Sequence, residues 1–577
     1  MAKEVLVLFK THLDIGFTDF AENVIDKYLN VSIPKAIKVG YELKGTSTPF
    51  IWTLGSWMVW EALKNDKDGF VDRAIKDGIL TWHGLPFTTH TELMNKELFE
   101  YGLSISDKLD KRYNRKTEAS KMTDVPGHTI GMVSLMAKHG IKFMHIGVNP
   151  ATPLPEVPQI FKWRNGKDSI IVMYEKDYGL TEEFDDFVLC FAHTGDNLGP
   201  QSADEVINVY KDLMEKYPGY EIKAATLDDL YHRVVSMEDM PVIDKEIGDT
   251  WIHGAGTDPK KVSGYRQLLR YLENHDVSDV DLTDSLLLVP EHTWGRDIKL
   301  YFHNDKDYTY NEMDALKGTT ARDDMEKSWE EQREYVRKAQ RQLKLTEDYD
   351  TTEPDLSEYE EIETVKQPDF EISWQLFDRN DYNIYKETYN RIFLEWVKWD
   401  FTKPGLPDYQ GGIYTAKVLK CFKKGKETLY RLEFDSGTAE KIGLPYFYVS
   451  TVDNLVTVKW FSKKASRLPQ ACWLKFKGYD EEWRVNKMSE WIDPKEIIGS
   501  PLITAVDKGI KNNDVIIYPV DSCLVAPFGR NLLRYNLDEK KKDMYFNLYN
   551  NIWNTNFPMW YEDDAVFRFK IDIIVEE

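Results

Sequence analysis

Seven short apolar runs separated by helical patterns occupy the chain as far as Thr226, and this alternation constrains the fold more than any other feature. The runs are Glu4–Phe9, Phe50–Leu54, Ile79–Trp82, Phe143–Val148, Ser169–Tyr174, Asp186–Phe191 and Lys223–Thr226. Helical patterns such as Ala21–Lys38, Gly55–Leu63 and Lys96–Lys111 lie between them. Strands that alternate with helices are joined by right-handed crossovers into a parallel sheet. Seven of them predict a β/α barrel-like domain, or a doubly wound sheet, over residues 1–262. The first run, VLVLF, is continuous and rich in β-branched residues, as strands buried on both faces are.

Polar residues succeed the runs. His12 and Asp14 come after the first, two apart, so an extended backbone puts both on one face. Such a pair fits a metal site, a His–Asp hydrogen bond or a polar turn. Ser56 and Trp57 come after the second run, and His83, His90 and Glu92 after the third. A short segment ends at Asp124, Asn149 comes after the fourth run, and His193 and Asp196 after the sixth. Titratable and polar groups recurring at the carboxyl ends of strands are what the catalytic rim of a β/α fold requires. Asn149 and His193 are therefore substrate-binding candidates. His83, His90 and Glu92 fit either a pocket wall or buried hydrogen-bonded positions, and Trp52 and Trp57 fit either sugar stacking or core packing. All 12 histidines fall between His12 and His303, which separates a catalytic half from a scaffold half.

The pattern turns helical over 263–345. One stripe there, Met325, Trp329, Val336, Ala339 and Leu343, reads as a packing face. Residues 346–367 are acidic, contain Pro354 and read as a linker. From 368 to 577, alternating runs such as Leu429–Phe434, Leu455–Phe461 and Ala565–Ile573 predict a β-sandwich. The expected architecture is thus α/β, then α, then β. Trp553, Phe557, Trp560 and Tyr561 fit core packing or a sugar platform.

A net charge of -23 argues against nucleic-acid and anionic-membrane partners. No run approaches the ~18 apolar residues of a membrane span. The N-terminal MAKEVLVLFK lacks the long apolar core of a signal peptide. Four cysteines without paired spacing point to a reduced, cytoplasmic protein and exclude a cysteine zinc site.

Four segments carry the chemistry: THLD, KMTDVPGHT, FAHTGDNLGP and GDTWIHGAGTDP. Two histidines and two aspartates suit a divalent metal, and two carboxylates suit glycoside cleavage. None has a fixed-interval metal signature. Their order and wording resemble the class II α-mannosidases, glycoside hydrolase family 38. That family has an H-x-D motif after its first strand (here His12 and Asp14) and a D-x-x-G segment (here Asp124 in TDVPG). It also has a GDGGGGP segment, here GDNLGP at Gly195–Pro200, and a histidine before a turn and an Arg-rich helix, here His253 in HGAGTDPKKVSGYRQLLR. IPKAIKV and FIWTLGSWMVWEAL match its second helix and strand. The chain departs from the family at Phe17, where Trp is common, at Met122 and Thr123, and at Asn197 and Leu198.

The resemblance spans about residues 1–300. It implies a divalent metal, zinc, held by His12, Asp14, Asp124 and His253 and gripping sugar hydroxyls. Asp124 would be the nucleophile of a retaining double displacement and Asp196 the acid/base, with their carboxyl groups about 5–5.5 Å apart. His292, beside Trp294, would be a substrate contact. The function expected is a metal-dependent retaining glycoside hydrolase cleaving α-mannoside or related α-glycosidic bonds, with a carbohydrate as its partner. Self-association into a homo-oligomer is compatible with the sequence. Rival readings are a carbohydrate deacetylase or lyase, whose metal would polarise water or a carbonyl, and a non-catalytic carbohydrate-binding protein.

Overall fold

A computed structural model of the chain describes residues 3–275, 280–363, 367–389, 403–479, 482–499, 502–533 and 543–574. The chain divides into two compact units. The first comprises Met1–Thr91, Lys96–Lys245 and Glu291–Thr293; the second comprises Glu92–Asn95, Glu246–Pro290 and Trp294–Glu577.

The strands of the first unit are β1 (Glu4–His12), β2 (Trp52–Gly55), β3 (Leu80–His83), β4 (Ala119–Asp124), β5 (Phe143–Val148), β6 (Ile160–Asn165), β7 (Asp168–Glu175), β8 (Thr181–Glu183), β9 (Phe187–Asp196), β10 (Glu221–Ala224) and β11 (Val242–Ile243). They form two sheets. One runs β3-β2-β1-β9-β8, with β10 also paired to β1, and the other runs β11-β6-β7-β5-β4. All nine residues of β1 are buried, and its neighbours β2, β9 and β10 run parallel to it. The continuous apolar run is explained by that placement, since a central parallel strand meets apolar neighbours on both faces. Leu6 and Leu8 of β1 share one core with Phe187 and Leu189 of β9, Phe143 of β5, and Ile171 and Met173 of β7.

The barrel expected from seven runs is therefore corrected to two sheets with a common core. One cause is the β6–β7 hairpin, which turns at Gly166-Lys167 with Gly166 at φ 57°. An antiparallel strand comes next there in place of a crossover helix, and glycine at the first central position, as at Gly166, is what such two-residue turns favour. The flanking helix Ile33–Leu43 buries Ile33, Ala36, Ile37, Gly40 and Leu43, a three-to-four spacing that gives it one apolar face. A side chain at Gly40 would place its Cβ 2.1 Å from Ile79 Cγ2, so this close approach requires glycine.

The second unit contains a ten-stranded and a six-stranded sheet whose pairings are antiparallel. Ile372 and Trp374 of the smaller sheet share a core with Val449, Val458, Trp460 and Phe567 of the larger. Trp374 and Trp460 meet edge to face, with ring centroids 5.9 Å apart.

The helical stretch expected as a separate middle domain belongs to this unit. The 262/263 boundary falls inside helix Pro259–Asn274. That helix is bonded to the sheets. Ser263 Oγ donates to Asp521 Oδ1 at 2.9 Å, and the Arg266 guanidinium donates to the carbonyls of Val506, Asp507 and Pro519 at 2.7–2.9 Å. Met325 and Trp329 of helix Thr320–Gln342 pack with Met559 and Trp560. The acidic stretch is also held: Glu360–Glu361 pairs with Phe422 and Lys423, and the Tyr349 and Tyr561 hydroxyls meet at 3.4 Å. Its residues 364–366 lie outside the described residues. Among the described residues, no helix is long and apolar enough to cross a membrane.

Candidate active site

The carboxyl ends of β1 and β4 bring His12, Asp14 and Asp124 together, and His292 joins them from the short Glu291–Thr293 segment of the same unit. Each offers one ligand atom, and all four atoms lie within 4.8 Å of one another. His12 Nε2 is 3.1 Å from Asp14 Oδ1, 3.9 Å from Asp124 Oδ2 and 3.1 Å from His292 Nε2. His292 Nε2 is 2.9 Å from Asp14 Oδ1 and 3.3 Å from Asp124 Oδ2. Four donors around a tetrahedral zinc at the usual bond lengths sit roughly 3.4 Å apart. The spacing and the two-imidazole, two-carboxylate donor set both fit a divalent cation. Asp14 Oδ2 is moreover buried without a hydrogen-bond partner.

The outer nitrogen of each ring lies beside an oxygen, which leaves both Nε2 atoms turned to the cluster. His12 Nδ1 lies 2.7 Å from Thr123 Oγ1, and His292 Nδ1 lies 2.6 Å from Glu291 Oε1. Glu291 is itself held through Oε2 by the Thr293 amide at 2.9 Å and the Thr293 hydroxyl at 2.5 Å.

Asp124 has an unusual backbone. The Val125 amide donates to the Thr123 carbonyl at 3.1 Å, closing a γ-turn around Asp124 at φ 80°. This is the strained form of that turn, and such strain is characteristic of functional positions. The turn aims Oδ2 at the histidines. Oδ1 accepts from Asn149 Nδ2 at 3.0 Å and from the Tyr178 hydroxyl. Tyr178 stacks on the His12 ring at 5.2 Å. Burial, then the charge of Asp124, keeps the Tyr178 phenol protonated and donating.

The carboxylates of the site are driven apart in acidity. Burial alone would raise Asp14, but His12 and His292 beside it hold it well below the usual range. Asp124 is likewise lowered against the effect of burial, chiefly by its hydrogen bond with His292. Asp196 lies directly across the β1–β9 ladder from His12. Burial first, then the charge of Asp14, pushes its carboxyl up to about 7. Its Oδ1 is buried without a hydrogen-bond partner.

This geometry corrects three expectations. His292, expected to contact substrate, is the fourth donor of the cluster that could hold a cation. His253, expected as that ligand, lies in the 3₁₀ turn Ile252–Thr257 of the second unit, where its carbonyl accepts from Asn550 Nδ2 at 2.8 Å and its ring packs edge-on to Trp553. Glu92 belongs to the second unit too, where its fully buried carboxylate lies 2.8 Å from Lys487 Nζ.

Most of the other candidates sit in the interior. Trp52 is fully buried and stacked on Tyr28, and Trp57 packs edge-on to Phe87, so both are core residues. His90 is buried. His83 is buried at the end of β3, and burial with the nearby Lys121 lowers it to about 3, so it is neutral. His193 is half-buried and meets Tyr178 edge-on at 5.4 Å, which keeps it at the rim with Asn149.

The ligand set predicts a sharp contrast. His292→Ala is expected to abolish stoichiometric metal uptake, whereas His253→Ala retains it. Elemental analysis of the two purified variants checks this, and metal lost only from His253→Ala would refute the ligand set.

The fold that brings these residues together is shared with solved structures of glycoside hydrolases. The chain is similar to an α-mannosidase from Enterococcus faecalis V583, with a TM-score of 0.61 over 99% of this chain and 87% of that one, at 9% identity. It is also similar to a glycosyl hydrolase family 38 protein from Enterococcus faecalis, with a TM-score of 0.57 over 100% and 86% of the two chains, again at 9% identity. Residues 255–367 match a domain of unknown function, DUF5054. No curated protein matches the sequence.

Proposed function

We propose that the protein is a metal-dependent retaining glycosidase that cleaves α-mannosides or closely related α-glycosides. The observation that carries this reading is the position of Asp124, which turns one carboxylate oxygen to the ligand cluster and the other to Tyr178 and Asn149. The likeness of the fold to an α-mannosidase supports the choice of sugar.

His12, Asp14, Asp124 and His292 would hold the cation, and zinc suits this donor set. Bound there, it supplies a positive charge that orients sugar hydroxyls. Asp124 attacks the anomeric carbon, the glycosidic C–O bond breaks, and Asp196 gives its proton to the departing oxygen. Asp196 then takes a proton from the water that releases the sugar from Asp124. Tyr178 and Asn149 orient the Asp124 carboxylate throughout. The four buried free cysteines suit a reducing compartment such as the cytoplasm.

The test is hydrolysis of an aryl α-mannoside by the purified protein, with and without a chelator. Activity undiminished after complete metal removal, or release of acetate or an unsaturated sugar instead of a glycose, would replace this reading. A pH dependence accompanies it. Asp196 carries its proton below a pKa of about 7 and loses it above. Since the acid form is needed, kcat/KM falls as pH rises through that value, or somewhat below it once a cation lies beside the carboxylate. Asp196→Asn is expected to remove this alkaline limb along with most activity on substrates with poor leaving groups. An unchanged limb would assign the proton to another group.

A further inference from the structure

Beyond His12 the chain leaves the β1 ladder, yet Asp14 must still be held to the tolerance that a ligand requires. One side chain holds it. Asn197 Oδ1 accepts the Asp14 amide at 3.0 Å, and Asn197 Nδ2 donates to the Asp14 carbonyl at 2.9 Å. The same Nδ2 donates to Thr18 Oγ1 at 2.9 Å, and the Asn197 amide donates to the His12 carbonyl at 2.9 Å. An asparagine amide carries two donors and an acceptor, so it can replace a neighbouring strand for one peptide group. Asn197 is 1% exposed and sits at φ 52°, a conformation that asparagine tolerates better than most residues.

Asn197 is also the immediate chain neighbour of Asp196. Its own loop is fixed on the far side: Lys27 Nζ donates to the Asn197 carbonyl at 2.9 Å, and Thr11 Oγ1 donates to the Gly195 carbonyl at 2.7 Å. Gly199, at φ 76°, passes so close to Ser32 that an added Cβ would fall 2.8 Å from its Oγ. Ser32 ends a π-helical turn, Tyr28–Ser32, whose Tyr28 hydroxyl donates to the His12 carbonyl at 3.3 Å. π-Helical turns of this kind are frequent at functional sites. The ligand loop and the Asp196 loop are thus one hydrogen-bonded body with Asn197 at its centre.

We propose that Asn197 is a positioning residue that joins cation binding to acid placement: its side-chain amide sets Asp14 for the cation, and its backbone fixes Asp196 beside it. The role of Asp196 rests on the glycosidase reading, while the effect on the cation does not.

The experiment titrates the purified full-length protein with Co2+, monitored by visible d–d absorption, and measures aryl α-mannoside hydrolysis in parallel. Asn197→Gly keeps the backbone conformation accessible and deletes the amide. Co2+ affinity is expected to fall about 10- to 100-fold with a changed absorption band, as for loss of other groups that orient ligands. The kcat is expected to drop with KM little changed, because the Asn197 side chain is buried and committed to the Asp14 peptide and Thr18. Thr18→Val removes a bond of the same hub without touching the Asp14 peptide and is expected to keep wild-type Co2+ affinity. Should Asn197→Gly fail to fold, Asn197→Asp, which keeps the acceptor and loses the donors, gives the same reading. Wild-type affinity and spectrum in the Asn197 variants would overturn the proposal, as would a wild-type protein that takes up no Co2+. Weakened Co2+ binding in a chain that cleaves no glycoside would leave the proposal standing and reject the glycosidase reading.

Discussion

Asp124→Asn is expected to lower kcat on an aryl α-mannoside by about four decades or more, which at 1.36 kcal/mol per decade is about 5 kcal/mol of barrier. The size stems from the position of the residue. The substituted amide would retain an oxygen for Asn149 and Tyr178, so the pocket keeps its shape. It would lack the negative oxygen that lies 3.3 Å from His292 Nε2, and it could not form the glycosyl ester. Both the cation and the covalent step are weakened by one substitution, and effects that act as a unit do not add. Steady-state kinetics with elemental analysis on the same preparation decide the matter. A D124N enzyme within about tenfold of wild type, a loss of roughly 1.4 kcal/mol or less, would remove Asp124 from the mechanism.

The largest expected effect on stability lies in the second unit. Lys487 Nζ sits 2.8 Å from Glu92 Oε1 and 2.9 Å from Glu246 Oε1, and all three side chains are fully buried. Glu92 also accepts from Thr504 Oγ1 at 2.8 Å, the Ala505 amide at 3.0 Å and the Asp249 amide at 3.2 Å. Lys487→Met strands two carboxylates in a dry interior, and breaking such a buried cluster costs about 3–5 kcal/mol. Denaturant unfolding is expected to show that loss, and Glu92→Gln added to Lys487→Met is expected to recover part of it. A midpoint unmoved by Lys487→Met would contradict this packing. Burial alone would lower the lysine, but the two glutamates raise it. Its contribution is therefore fully present below the pKa of an unfolded lysine and is lost only as pH rises through the higher folded value.

His12, Asp14 and Asp124 were legible because each lies at the end of a strand, where the apolar run stops and the chemistry starts. His292 was not. The chain leaves the first unit at Lys245 and returns for Glu291–Thr293 alone, too short a visit to carry any periodicity. The adjacent Glu291-His292 pair was the available signal, since a carboxylate next to an imidazole is how metal-bound histidines are oriented. His253 carried the expectation because it precedes a turn and an Arg-rich helix, as a histidine does in the resembled family, and in the structure it occupies a 3₁₀ turn. The β6–β7 hairpin has its signal in Gly166 between two short runs, and without that hairpin the seven runs fit a barrel-like domain or a doubly wound sheet. Trp52 and Trp57 show the limit of reading aromatics around strand ends: a four-residue strand is short enough that rings at both of its ends still pack inside. The alternation after residue 368 was clear because antiparallel strands meet the core on one face only.

The return of the chain at Glu291 also orders events during synthesis. When Lys245 has left the ribosome, three of the four groups of the proposed cation site exist and His292 does not. At about 5–20 residues per second, its translation comes a few seconds later. The nascent protein therefore passes through a stage in which most of its α/β portion is made but the proposed site lacks its fourth donor, and a fragment ending at Lys245 would lack it permanently.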